Sequence, residues 1–133
     1  MEEHDLLDAE AVARILGVST MTIYRLAQSG DLPSIRVSAN IIRFESQDVL
    51  NFLRRHYSAQ NGVDRWSSIA NVGLVRSAVL ADRLRISRAT LHRLLRAKAM
   101  PAIRFGRVVL IDEADVDTYL VSRRNIGSQE TVR

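Results

Sequence analysis

The chain has no cysteine, which excludes a disulfide framework and any thiolate metal site, and three scattered histidines do not make a zinc cage by themselves. No apolar run approaches the roughly 20 residues needed to cross a bilayer. The first ten residues, Met-Glu-Glu-His-Asp-Leu-Leu-Asp-Ala-Glu, carry acids and no basic residue, the opposite of a secretory signal. A cytoplasmic protein is therefore expected. Seven aromatics are too few and too scattered for a single-strand stacking platform, and no glycine-rich loop is present to cradle a phosphate. Lysine is nearly missing too: Lys98 stands alone against 18 arginines.

What is present describes an ordinary globular chain, 47% apolar and 26% charged over 133 residues, which excludes a disordered or fibrous protein. The net charge of +4 makes a polyanion the first partner to consider. Its distribution says more. Residues 1–60 hold six arginines and eight acids, net −2, whereas residues 61–133 hold 13 basic and seven acidic groups, net +6. A polyanion should be held mainly by the second half.

Although the length reads as one domain, the chain repeats itself. A shift of 68 aligns Ser19-Thr20-Met21-Thr22-Ile23-Tyr24-Arg25-Leu26 with Ser87-Arg88-Ala89-Thr90-Leu91-His92-Arg93-Leu94, and Leu32-Pro33-Ser34-Ile35-Arg36 with Met100-Pro101-Ala102-Ile103-Arg104. After a one-residue gap near Asn40, Asp48–Leu53 meets Asp115–Leu120. Twelve positions are identical between Leu7–Leu53 and Val75–Leu120, and both prolines of the chain align. A module of under 50 residues has been duplicated. The expected division is module one at 1–56, a linker at 57–73, module two at 74–124 and a fraying tail at 125–133.

Each copy has the same punctuation. Asp8 or Ala9 opens a short helix that Gly17 ends, Ser19 caps a second helix over Thr20–Ser29 that stops at Gly30, and Ser34–Val37 and Ile41–Phe44 form a hairpin. A last helix spans about Ser46–His56. In copy two the same elements fall at Ser77 or Ala78 to Leu84, Arg88–Lys98, Ala102–Phe105, Val108–Ile111 and about Glu113–Arg124. Gly106 suits the first central position of a type II′ turn. Core positions pair as Leu16/Leu84, Val18/Ile86, Ile23/Leu91, Leu26/Leu94, Ile35/Ile103, Val49/Val116, Phe52/Tyr119 and Leu53/Leu120, giving each module its own small core. Ile15 against Arg83 is the exception. As a flexible coil the linker would span about 23 Å, and at most about 55–60 Å extended, enough to place the modules in neighbouring grooves. Trp66 within it is expected to dock partly on a module.

Two short helices joined by a tight turn, the second capped by serine and exposing polar side chains, make a helix-turn-helix whose second helix enters the major groove. Fold class is mainly α with small β-hairpin wings, in two tandem winged helix-turn-helix modules. With Ile23 and Leu26 pointing inward, Ser19, Thr20, Met21, Thr22, Tyr24, Arg25 and Gln28 are the candidate DNA contacts of copy one. Ser87, Arg88, Ala89, Thr90, His92, Arg93 and Arg96 are their counterparts. Thr22/Thr90 and Arg25/Arg93, identical in both copies, fit phosphate contacts, while Thr20/Arg88, Met21/Ala89 and Tyr24/His92 differ, as base readers would.

Leu6–Ser19, then Thr-Ile-Tyr-Arg-Leu, Leu-Pro-Ser-Ile-Arg-Val and Asp-Val-Leu-Asn-Phe-Leu, resemble the excisionase-type branch of the MerR-like winged helix-turn-helix superfamily. The resemblance covers residues 6–55 and, less closely, 74–122. It implies that the helices from Thr20 and Arg88 read major grooves and that the hairpins, carrying Arg36, Arg43, Arg104 and Arg107, act as wings on backbone or minor groove. The first wing tip, Ser38-Ala39-Asn40, has no basic residue, and Asp82–Arg107 hold eight basic groups and one acid. Module two is the expected anchor. The long dimerisation helix and effector domain of ligand-sensing MerR-type regulators are not found, so no small-molecule effector and no cofactor are expected.

Blander readings compete at single positions. Arg83, Arg85, Arg88, Arg93 and Arg96 would also suit a solvated face, and Tyr24 is as well read as surface padding as a phosphate contact. His92 lacks a partner at ligand spacing, so neither a metal site nor a general base is expected. Asp112-Glu113-Ala114-Asp115 reads as first-turn acids at the positive end of the last helix, not a catalytic pair. The expected protein is a non-enzymatic monomer that binds double-stranded DNA sequence-specifically, as a transcriptional regulator and by first choice a repressor. The alternatives are an excisionase that bends attachment-site DNA and a protein-interaction adaptor using the acidic residues 1–10. An integrase or RNA polymerase is the further partner considered; no membrane is.

Overall fold

A computed structural model describes residues 5–58 and 65–125. The elements are β1 (Leu6–Leu7), α1 (Ala9–Leu16), α2 (Thr20–Ser29), β2 (Ile35–Ser38), β3 (Ile41–Glu45) and α3 (Ser46–His56), then a 3-10 turn at Ile69–Asn71. They continue as β4 (Leu74–Arg76), α4 (Ser77–Leu84), α5 (Arg88–Arg96), β5 (Ile103–Phe105), β6 (Val108–Asp112) and α6 (Glu113–Arg123). The tail is expected at 125–133, of which residues 126–133 lie outside the described residues, as do 1–4 of the acidic N-terminus and 59–64 of the linker.

The helix boundaries follow their capping chemistry. Asp8 accepts from the Ala11 amide at 2.8 Å to start α1. Ser19 and Ser87 accept from Thr22 and Thr90 to start α2 and α5, satisfying amides that have no partner inside the helix. Gly17 and Gly30 end their helices with φ of 72° and 86°, in the left-handed region. At the second hairpin Gly106 has φ 56° while Arg107 does not turn positive, as a type II′ turn requires.

Each sheet has three antiparallel strands where the sequence shows two. The order is β1-β3-β2 in module one and β4-β6-β5 in module two. β1 pairs Leu6 with Glu45 and Leu7 with Phe44, and β4 pairs Val75 with Ile111. These added strands run two and three residues, too short to show an alternating pattern. They tie the start of each module to its hairpin.

The separate cores expected for the two modules are not what the structure holds. A smaller cluster, with Leu80, Leu91, Leu95 and Ile111, belongs to module two alone. The larger one joins Val12, Leu16, Ile23, Leu32, Phe44, Phe52 and Leu53 of module one to Trp66 of the linker and to Ile103, Phe105 and Leu110 of module two. The reason is the placement of the second hairpin against α3. Phe105 packs edge-on to Phe52 at 5.0 Å between ring centroids and lies 6.0 Å from His56. Tyr57 bridges Ile103 in antiparallel fashion, and the backbone and hydroxyl of Ser58 bond both polar groups of Ala102 at 2.9 Å.

The described part of the linker is part of this core. Trp66 is 7% exposed, and its indole N–H donates to Asp112. Arg54 of α3 donates to the carbonyls of Arg65 and Trp66. The docked modules thus replace the extensible pair that a 17-residue coil would permit. Leu120 also departs from expectation. Leu53 is fully buried on a helix that packs against β5 and the Ile69–Asn71 turn, whereas its counterpart on α6, which packs mainly against β6, is 45% exposed.

Candidate nucleic-acid interface

α2 and α5 present their polar faces outward by simple helical geometry. Thr20 and Tyr24, then Met21, Arg25 and Gln28, recur at spacings that bring them onto adjoining surface rows, and all five are exposed. In α5 the rows are Arg88, His92 and Arg96, with Ala89 and Arg93 beside them, again all exposed. Met21 at 60% and Tyr24 at 51% are large side chains in water. Ile23 and Leu91 turn inward and are buried.

Four of the expected contacts have local work to do. The Ser19 and Ser87 hydroxyls cap their helices and lie 3.2 and 3.0 Å from the hydroxyls of Thr22 and Thr90. The identity of Thr22 and Thr90 in both copies therefore has a local structural cause, alongside the phosphate contact expected of them. In module two Arg93 also donates to Thr90 at 3.1 Å, which pre-orients the guanidinium along the helix.

The hairpin arginines are arranged unequally. Arg36 folds across its own turn onto the Ala39 carbonyl at 2.8 Å, and Arg43 is half-buried with its guanidinium on the Ile42 carbonyl at 2.8 Å. Arg104 and Arg107 are exposed. The tip of the second hairpin also stands beside the recognition helix of the first module. Gly106 and Arg107 line a cleft of about 610 Å³ with Thr22, Arg25, Ser29, Asp31 and His56, floored by Leu26, Phe105 and Val108. On the other side of α2, Tyr24 shares a smaller cleft of about 200 Å³ with Asn40, Ile41 and Arg43 of its own wing. α2 is flanked by both wings.

Two clasps hold this arrangement. His56, against Phe52 and Phe105, has its pKa lowered from 6.5, first by burial and then by Arg55, although a bond to the Arg104 backbone and the charge of Asp31 oppose the shift. Arg55 donates to the Asp31 carbonyl at 2.8 Å. In the second clasp Arg65 reaches Asp112 at 2.8 Å and Asp115 at 3.2 Å, and lies 5.6 Å from both the Tyr57 and Trp66 ring centroids. Tyr57 donates to Asp115 at 2.7 Å. Burial raises the pKa of both Tyr57 and Asp115, the latter against the pull of Tyr57 and Arg65.

Asp112 caps α6 through Ala114 as the sequence indicates, but its second oxygen, with Asp115, fastens the linker. That role was missed. The pairing of an Arg-Trp step in the linker with two carboxylates three residues apart was its available signal. Arg83 is neutralised by Glu113 at 3.2 Å. Arg88, Arg93 and Arg96 face no carboxylate at ion-pair distance among the described residues.

The family model described as "Helix-turn-helix domain" matches residues 6–57 and again 75–124. The chain belongs to that excisionase-like helix-turn-helix family. No curated protein and no solved structure matches it. The double match supports DNA binding for this helix-turn-helix protein, and among the described residues no helix is long and apolar enough to cross a membrane.

Proposed function

We propose that this helix-turn-helix protein is a cytoplasmic, non-enzymatic transcriptional regulator, a repressor by first choice, that reads an asymmetric duplex site with two unlike recognition helices. The proposed modules are 1–56 and 74–124, joined by 57–73 and followed by the tail 125–133. The contacts are Thr20, Met21, Tyr24, Arg25 and Gln28 on α2, and Arg88, Ala89, His92, Arg93 and Arg96 on α5. Arg104 and Arg107 meet the backbone. The single observation that carries this reading is that both helices expose polar faces from one docked body, with different residues at matching positions. Docking makes the half-site spacing a property of the fold, about one helical turn for neighbouring major grooves.

Selection of binding sites from random duplexes tests it. An asymmetric site with a single spacing is expected, bound with steep salt dependence. A palindrome, or two half-sites at variable spacing, would overturn the reading. Family membership supports a second reading, an excisionase that bends its site. A strong bend by circular permutation together with stimulated excision would favour it.

A further inference from the structure

The duplication creates one internal interface from two modules, so each chain has two unused halves of the same interface. In the internal contact β5 lies on α3, burying Ile103 and Phe105 completely or nearly so against Phe52. The residues of the first hairpin that align with them, Ile35 and Val37, the latter at a register shift between Arg36 and Ser38, are 36% and 58% exposed, and Ile41 beside them is 41% exposed. The matching helix, α6, carries Tyr119 for Phe52 and leaves Leu120 and Val121 at 45% and 73% exposure. Of the nine exposed large apolar side chains among the described residues, four, Ile35, Val37, Ile41 and Leu120, belong to these two half-surfaces.

We propose that α6 of one copy receives the first hairpin of a second copy, repeating the α3–β5 contact between chains. The α6 face is one half and β2 the other. Such a contact is head-to-tail, so it adds further copies until a ring closes or a chain extends.

Charge supports this occupant independently of the apolar match. In the internal cleft Arg25 and Arg107 are accompanied by Asp31. At the positions related by the duplication, the cleft between copies would hold Arg93, Arg123, Ala39 and Ala99. With Arg93 and Arg123 on the receiving side and no acid among these positions, a wing tip that lacks an arginine is the one that adds no further like charge. The neutral tip Ser38-Ala39-Asn40 is then suited to stand beside the arginine-rich α5 of its neighbour. Between chains the contact lacks the linker that raises the effective concentration of the internal one. Dilute protein is therefore monomeric, and assembly appears at high concentration or when copies occupy adjacent duplex sites, the latter clause resting on the DNA reading above.

The absence of cysteine makes the test direct, without DNA. Val37 and Arg123 correspond to Phe105 and His56, whose rings lie 6.0 Å apart. A Val37→Cys, Arg123→Cys chain treated with a short bismaleimide should give a ladder of covalent oligomers. Val37→Cys and Arg123→Cys chains should each remain monomeric alone and give a dimer when mixed. Adding Leu120→Glu to the Arg123→Cys chain, or Ile35→Glu to the Val37→Cys chain, should reduce the yield by about tenfold or more, the loss expected for a contact weakened by 1.4 kcal/mol. Three results would overturn the proposal. These are an uncross-linked chain at high concentration, cross-linking of either single variant with itself, and a ladder indifferent to Leu120→Glu. Ile35→Glu, at an exposed position on the hairpin side, guards against misfolding of the α6 variant.

Discussion

Module one and module two build the same elements, with one register shift at Arg36–Ser38 that the second hairpin lacks, yet three residues that shape module one locally are basic in module two. Asp8, the side-chain cap of α1, becomes Arg76, and α4 has no side-chain capping bond. Gly17 and Gly30, in left-handed conformation, become Arg85 and Lys98, which hold φ of 60° and 61° in the same region. A lost cap costs about 1 kcal/mol and a side chain forced left-handed about as much. Local conformational quality has been given up at three sites, and each carries a positive charge instead. The excess of the second half, net +6 against −2, is thus written partly over the punctuation of the fold. That pattern is understandable if module two carries the heavier load in holding a polyanion.

The largest test of this asymmetry is at the recognition helices. Arg88→Ala with Arg93→Ala should lower affinity for a selected duplex by roughly 100-fold or more, at about 1–3 kcal/mol per lost contact, and flatten the salt slope by about two. Thr20→Ala with Arg25→Ala should cost about tenfold. Fluorescence anisotropy titrations at several salt concentrations would measure both, and equal losses would remove the distinction. A fragment of module one alone is not a fair probe, because Ile103 and Phe105 complete its core.

Next in size is the interface contrast. Phe105→Ala should destabilise the chain by about 3–4 kcal/mol in urea unfolding, while Val37→Ala, its counterpart in water, should change stability by less than about 0.5 kcal/mol. A comparable loss at Val37 would show that the hairpins are covered alike. A smaller and opposite effect is expected from restoring module one's punctuation. Arg76→Asp, Arg85→Gly and Lys98→Gly together should stabilise by about 1–2 kcal/mol, the gain limited by glycine's freedom in the unfolded chain, and should weaken DNA binding.

The smallest effect concerns pH. His56 titrates below its ordinary 6.5 in the folded protein, so the unfolded chain takes the proton first. Its contribution is complete above pH 6.5 and is lost as pH falls through 6.5 toward the folded value. Asp115, raised by burial, acts in the other direction at lower pH. Urea unfolding at pH 7.5 and 6 should therefore show a decrease that His56→Phe removes, and an unchanged slope in that variant would reject the assignment.

Much of this was legible in advance because it is local. Ser19 and Gly30 bound α2 within the sequence itself, and the alternation of Ile23 with Tyr24 and Arg25 separates core from surface by helical geometry alone. Strands of two and three residues at Leu6 and Leu74 carry no such signal; they exist because β3 and β6 offer an edge. The fate of Phe105 was equally hidden, since an aromatic on a hairpin reads the same whether it meets water, DNA or α3.

The sequence by itself determined the repeat, the helix limits, the unlike recognition faces and the charge bias, since each depends on neighbours within one or two turns. Tertiary structure alone decided that Trp66, Arg65 and Asp112 lock the linker, that Arg107 stands beside Arg25, and that Leu53 is covered while Leu120 is bare. Two related surfaces arise from the duplication but the internal contact uses one of them, and only the packed arrangement shows which is covered.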